Sequence, residues 1–225
     1  MQKYLVIVAG GSGTRMGTDT PKQFLCFSGK PVLMHTIERF ISFDPIINIL
    51  LVLPEQHHNN WKALCKKYRF SHPHTVITGG KERFHSVKNG LRSITENSLV
   101  AIHDGVRPLV SHQTIERCFD TAQQSGTAIP VVPVTESVRQ THESGSSMLD
   151  RTKIMMVQTP QVFQSEIIQN AYKSEFNSEF TDDASVVEKS GGKINLVEGN
   201  IENIKITRPI DLQLAGLIYT DLGLE

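Results

Sequence analysis

The chain has 225 residues, of which 39% are hydrophobic and 20% charged, with 23 lysines and arginines balanced by 23 aspartates and glutamates. This length suits one large α/β domain able to bury a core without disulfide or metal staples. The zero formal charge argues against a nucleic-acid or anionic-membrane partner, whose binding surfaces carry excess positive charge, and leaves room for a local cationic pocket.

The first expected strand is Tyr4 to Ala9, an apolar run too short for a signal-peptide core, ending in a glycine-rich turn. Pro31 to Phe43 has helical spacing at Val32, Met34, Ile37, Phe40 and Ile41 behind a proline that suits a first turn. Ile46 to Leu53 is apolar almost throughout, like a strand covered on both faces. A polar helix is expected over Asn59 to Tyr68, a short strand over Thr75 to Thr78 and a helix over Arg83 to Ile94. Leu99 to His103 reads as a buried strand, His112 to Gln124 as an amphipathic helix and Thr127 to Val134 as a strand. This alternation predicts an α/β fold, a mostly parallel twisted sheet flanked by helices. Right-handed crossovers then bring the loops after the strands to one sheet edge.

The rhythm breaks after Val134. Residues 135–153 are polar with Ser and Gly at the centre, and the flanks Ser137 to Thr141 and Met148 to Met156 can pair as a protruding β-arm, 137–156, on a single 1–225 domain. Helices over Gln164 to Ser174 and Asp182 to Lys189, strands over Ile194 to Val197 and Ile204 to Thr207, and a helix over Pro209 to Leu222 complete the chain. Three scattered cysteines, Cys26, Cys65 and Cys118, form no CxxC pair, which fits a reducing, cytoplasmic setting better than a zinc site or disulfide framework.

Four polar clusters follow expected strands. Ala9 to Gly17 (AGGSGTRMG) can form an anion-binding concavity of backbone amides. It is neither a Walker A loop nor GxGxxG, because Gly11, Gly13 and Gly17 give GxGxxxG. Arg15 within it and Lys22 just after it fit a triphosphate, one as a planar fork and the other as a mobile charge. Gly79-Gly80-Lys81-Glu82-Arg83, with Ser86, either seats a base or ribose against its glycines or simply starts a helix. In HDGVRP, Asp104 closes a buried strand and is the candidate metal-side carboxylate, with Arg107 the candidate for a substrate phosphate; alternatively Asp104 caps the next segment and pairs with Arg107. Late in the chain stand TDDAS, where Thr181 or Asp182 can cap a helix, and Lys205, which needs an anion if it points inward from an apolar strand.

AGGSGTRMG, PKQF, GGKERFHS, HDGVRP, VQTPQVF, TDDAS and NIKITRP stand in the order of the cytidylyltransferases that act on 2-C-methyl-D-erythritol 4-phosphate, and the chain resembles that family from Tyr4 to Leu214. The resemblance implies a Rossmann-like nucleotidyltransferase fold, CTP and a sugar-alcohol phosphate as substrates, and a homodimer with exchanged β-arms. It also implies Mg²⁺ bound mainly through the CTP phosphates. By resemblance, Ala9, Gly10, Gly11, Gly13, Gly80 and Ser86 hold the nucleotide, with Asp104 near ribose and metal. Arg15, Lys22 and Lys205 act on the triphosphate and reacting centre, and Arg107 and Thr181 meet the acceptor. Ser137 and Arg151, on the arm, reach the neighbouring subunit's site. The chain has Ala9-Gly10-Gly11 where many members have Ala-Ala-Gly, and ribitol 5-phosphate cytidylyltransferases share AGGxGTRMG and NIKIT, so that acceptor stays open as the alternative. A non-catalytic nucleotide-binding regulator is a further reading, against which Arg15 and Lys22 both stand.

Overall fold

β-branched runs that alternate their side chains between two apolar layers build the sheet. The computed structural model describes residues 1–11 and 20–224. Strand β1 (Gln2–Val8) is followed by a two-strand clip, β2 (Cys26–Phe27) and β3 (Lys30–Pro31), and by α1 (Val32–Phe43). Then come β4 (Asn48–Leu53), α2 (His58–Lys67), β5 (Thr75–Thr78), α3 (Arg83–Leu91), β6 (Ser98–Asp104), α4 (His112–Ser125) and β7 (Thr127–Pro133). The hairpin β8 (Val138–His142) and β9 (Gly145–Leu149) precedes β10 (Met155–Val157) and β11 (Gln161–Gln164). Helices α5 (Ser165–Ala171) and α6 (Asp183–Lys189), strand β12 (Leu196–Glu198) and α7 (Pro209–Asp221) finish the chain.

The main sheet runs β10-β7-β11-β6-β1-β4-β5, with β12 beside β7. Pairings among β6, β1, β4 and β5 are parallel, whereas β11 is antiparallel to both β6 and β7, and β10 is antiparallel to β7. One face of the strands, including Leu5, Ile7, Leu51, Leu53 and Ala101, packs on α1, α2 and α4 through Phe40, Trp61 and Phe119. The alternate residues, including Val6, Val52, Val100, Ile102 and Phe163, pack on α3, α5 and α6. That division follows from the two-residue period of a strand. Helix α7 forms a third cluster with the clip, through Phe27, Val106, Ile206 and Tyr219.

Three expectations are corrected here. The four-residue run QVFQ, expected only as part of a motif, is β11, inserted between β6 and β7 and reversing the local direction of the sheet. Residues Met148 to Met156 are not one strand. The Asp150 side chain accepts from Thr152 N at 3.1 Å and holds a 3₁₀ turn over Arg151–Lys153, so β9 ends in the arm while β10 joins the main sheet. Ile204 to Thr207 is not a strand of any ladder and is tied instead by Ile206 N donating to Val106 O at 3.0 Å.

Candidate functional site

Parallel pairing of β6, β1, β4 and β5 aligns their carboxyl ends: Val8 lies opposite Asp104 and Val52, and Leu53 opposite Thr78. The loops that follow therefore meet at one edge, as expected for open α/β sheets. Each loop is stitched to a neighbouring strand. Ala9 N donates to Val52 O (3.0 Å), Gly105 N to Val8 O (3.0 Å) and Gly79 N to Leu53 O (2.8 Å). Buried Gln23 donates through Nε2 to Ala9 O at 2.8 Å, fixing the start of the glycine loop.

These loops surround a cavity of about 300 Å³. Ala9, Gly10, Gly11, Lys22, Gly80, Ser86, Asp104 and Lys205, all expected at the site, line it. Gly13 and Arg15 lie outside the described residues. Lysines 22, 81 and 205 with Arg83 outnumber the lining carboxylates, Glu82 and Asp104, which suits a polyanion. Gly80 N donates to Ser86 Oγ at 3.0 Å, closing the glycine turn onto α3. A Cβ at Gly80 would lie 2.3 Å from His85 Cβ and 3.0 Å from its carbonyl carbon. The Gly80→Ala variant is therefore expected to lose about 1–3 kcal/mol of stability, as overpacking does. It should also reshape the cavity, because α3 must shift away from the loop. Urea unfolding checks this, and an unchanged midpoint would refute it.

Asp104 sits at the back of the cavity, 7% exposed. Its Oδ2 lies 3.1 Å from Lys205 Nζ and 3.2 Å from Arg107 Nε, and its Oδ1 lies 3.9 Å from Arg83 Nε. Burial opposes ionisation, but Lys205, Arg83 and Arg107 outweigh it and hold the carboxyl well below the ordinary carboxylate range. Asp104, the expected metal-side carboxylate, has oxygens that face three cations in this structure. Among the described residues no group of three His, Cys, Asp or Glu side chains could cage a metal ion. The donor set instead fits an ion carried in by phosphates with at most one carboxylate nearby. Arg107 is partly engaged within the protein, since Nη1 donates to Asn203 O at 2.7 Å in addition to the Asp104 pair.

Behind Asp104, Thr159 Oγ1 accepts from Asp104 N (3.1 Å) and meets His103 Nδ1 (3.0 Å), while His103 Nε2 lies 3.0 Å from Arg107 O. The geometry assigns the ring proton to Nε2, which donates to the carbonyl while Nδ1 accepts from the threonine. Burial, only partly offset by the Arg107 carbonyl and Asp104, pushes the His103 pKa down to about 4. His103 is thus a neutral brace for the Asp104-to-Arg107 turn at pH 7.

A second cavity, of about 270 Å³, adjoins the first and shares Arg83, Asp104 and Lys205 with it. Its other lining side chains include Arg107, Gln161 and Thr181, so the expected acceptor residues Arg107 and Thr181 are brought together here. Asp182 caps α6, accepting from Ser185 N at 2.9 Å. Ser137 and Arg151 are exposed at the base of the arm and line neither cavity within one chain. Arg151 instead donates to Thr135 O.

Sequence reasoning missed Arg83. Its Nη1 and Nη2 donate to the two carboxylate oxygens of Asp183 at 2.9 and 2.7 Å. Asp183 is fully buried, and Tyr172 OH donates to its Oδ1 at 2.6 Å. Burial disfavours the charged guanidinium, but Asp183 and then Asp104 more than compensate and hold it protonated. In the sequence Arg83 is one charge in the run Lys81-Glu82-Arg83, and Asp183 reads as part of a helix start.

A family model described as 2-C-methyl-D-erythritol 4-phosphate cytidylyltransferase (IspD) matches residues 4–221. The chain is 51% identical over 218 residues to the protein of that description from Bacteroides thetaiotaomicron, covering 97% of this chain and 100% of that one. Among solved structures it resembles 4-diphosphocytidyl-2C-methyl-D-erythritol synthase from Anaerococcus prevotii, with a TM-score of 0.82, 26% identity, and 97% and 96% of the two chains covered. The Francisella tularensis 2-C-methyl-D-erythritol 4-phosphate cytidylyltransferase aligns with a TM-score of 0.80 at 30% identity, covering 96% of this chain and 99% of that one.

Proposed function

The chain belongs to the 2-C-methyl-D-erythritol 4-phosphate cytidylyltransferase family, and from that premise we propose how its two adjoining cavities divide the work. The enzyme transfers the cytidylyl group of CTP to 2-C-methyl-D-erythritol 4-phosphate, giving the CDP-methylerythritol product and pyrophosphate in isoprenoid precursor synthesis. One observation supports a two-substrate site at this edge: both cavities share the charged wall of Arg83, Asp104 and Lys205.

In our reading CTP lies in the first cavity, its base and ribose against Ala9, Gly10, Gly11, Gly80 and Ser86 and its phosphates toward Lys22. The acceptor phosphate enters the second cavity beside Arg107 and Thr181. A phosphate monoester has a second pKa near 6 and is mostly a dianion at pH 7, so its oxygen needs no general base. It attacks the α-phosphorus, one P–O bond forms, the bond to the bridging oxygen breaks, and pyrophosphate leaves with the electron pair. Two anions must approach each other, so the residues act by charge neutralisation and alignment. In this reading Lys22 and Lys205, both lining the first cavity, perform that task. A magnesium ion held by the CTP phosphates near Asp104 would supply further charge neutralisation.

Pyrophosphate release tests the acceptor assignment. With CTP, methylerythritol phosphate is expected to support turnover about 10²-fold faster in kcat/KM than ribitol 5-phosphate, the size of discrimination a pocket achieves against a substrate differing by a methyl and a hydroxymethylene. A reversed preference would transfer the assignment to the ribitol substrate. A parallel panel of UTP, GTP and ATP checks the nucleotide.

We also propose a cytoplasmic homodimer with exchanged arms. Among the described residues the hairpin β8–β9 pairs with no third strand, and it is exposed along most of its length. Beside it an apolar groove of about 340 Å³, with Val132, Met156, Val157 and Ile201 in its walls, reaches Arg107 and Lys205. Such an edge is suited to another copy's arm. Among the described residues no helix is long and apolar enough to cross a membrane. If arms are exchanged, each site combines Lys22 of one chain with Arg151 of the other. Heterodimers carrying Lys22→Ala and Arg151→Ala on different chains should retain about half of wild-type activity, and those carrying both on one chain almost none. The reverse pattern would show that each arm serves its own site.

A further inference from the structure

We propose that Arg83 is a further substrate-contacting cation of this reaction and that Asp183, assisted by Tyr172, is the positioning residue that fixes its guanidinium at the junction of the two cavities. The inference rests on the cytidylyl-transfer reading above.

Arg83 lines both cavities, whereas Lys22 lines the first and Arg107 the second. It stands in the first turn of α3, directly after the nucleotide-side glycines, while Asp183 opens α6, directly after Thr181 and Asp182 on the acceptor side. The pair thus joins the two substrate loops across 100 residues of sequence. A guanidinium carries five N–H donors in a planar fork. Two are matched by Asp183, and Nε is 3.9 Å from Asp104, beyond hydrogen-bond distance. Donors therefore remain for phosphate oxygens, on a side chain that is 30% exposed.

The support beneath Arg83 is rigid. Asp183 accepts the Tyr172 hydroxyl as well as the fork. Its own amide and that of Ala184 donate to Gln161 Oε1 at 3.1 and 2.9 Å, and Gln161 Nε2 donates to Asp182 Oδ2 at 2.8 Å. Tyr172 is held by stacking on Phe84, with centroids 4.7 Å apart. A buried ion pair is poor evidence for stability by itself, because its desolvation offsets its attraction. A donor fork locked before substrate arrives is instead the arrangement that lowers a charged transition state without reorganisation.

The experiment is a double-mutant cycle on the full-length enzyme, read by pyrophosphate release from CTP with methylerythritol phosphate and by thermal melting. Arg83→Lys keeps the charge and loses the fork; it should melt near wild type and lower kcat by about 10²-fold, with a smaller change in either KM. Asp183→Asn and Tyr172→Phe should lower kcat by smaller factors. If Asp183 acts through Arg83, adding Asp183→Asn to Arg83→Lys should cause no further loss of kcat. Should Asp183→Asn fail to fold, Tyr172→Phe, which retains the stacked ring, replaces it in the cycle. Losses that multiply, or a folded Arg83→Lys enzyme within twofold of wild type, would overturn the proposal while leaving the reaction assigned. A wild-type enzyme inactive on these two substrates would instead remove the functional reading, and this inference with it.

Discussion

Alanine at Lys205 or at Lys22 is expected to reduce kcat by about 10²-fold or more, the scale of losing one strong donor to a transition state. Lys22 lines the first cavity, and Lys205 belongs to both cavities. The reaction joins a phosphate dianion to a triphosphate, so cations aimed at the junction act most strongly as the two anions close. Lys205 Nζ lies 3.1 Å from Asp104, and its side chain is 42% exposed, so it can reach a ligand without leaving a buried hole when truncated. The two variants should therefore melt close to wild type while turning over slowly. Single-turnover rates of pyrophosphate release at saturating CTP separate this loss from weaker binding, and near-normal rates would refute the roles given to both lysines.

The second large effect concerns stability. Asp104→Asn is expected to cost about 3–5 kcal/mol, the usual result of removing one partner from a buried ionic cluster. The carboxylate faces Arg83, Arg107 and Lys205, and a neutral amide leaves those cations repelling one another around a nearly buried position. For a chain of this length that corresponds to a fall of roughly 10 °C in Tm. The pH dependence has a defined sign. Asp104 is held below its ordinary range, so its contribution is fully present above pH ~4 and is lost as the pH falls toward the depressed value. The Asn variant should lack this acid-sensitive component. Melting curves from pH 7 down to the acid limit check both points, and a variant as stable as wild type at pH 7 would show that the cluster contributes nothing to the fold.

Much of the architecture was legible because strand and helix periods are local. The apolar spacing in Val32–Phe43 and His112–Ser125, and the unbroken apolar core of β4 and β6, depend on neighbours a few positions away. The glycine loop, the glycines at 79 and 80, HDGVRP and TDDAS stood out because each carries residue types unusual for what precedes it. The structure gathers the described parts of all four clusters around the two adjoining cavities. Strand β11 was missed because four residues hold too little periodicity, and its direction is set by the slot between β6 and β7. The break at Asp150 that separates arm from sheet rests on one side chain accepting a backbone proton, a competition between hydrogen bonds that no period reveals.

The amino-acid sequence by itself determined most of the strands and helices, and marked the glycine-rich and charged loops that follow them as candidates for a site. Those features depend on residue type and short-range spacing. Only the tertiary structure decided that Asp104 is surrounded by three cations, that Arg107 is tied to Asn203, and that Arg83 is held by a carboxylate 100 positions away. Such partnerships arise when sheet order brings remote loops to one edge and burial then requires each polar group to find a partner, a requirement that operates in space and leaves no mark in linear spacing.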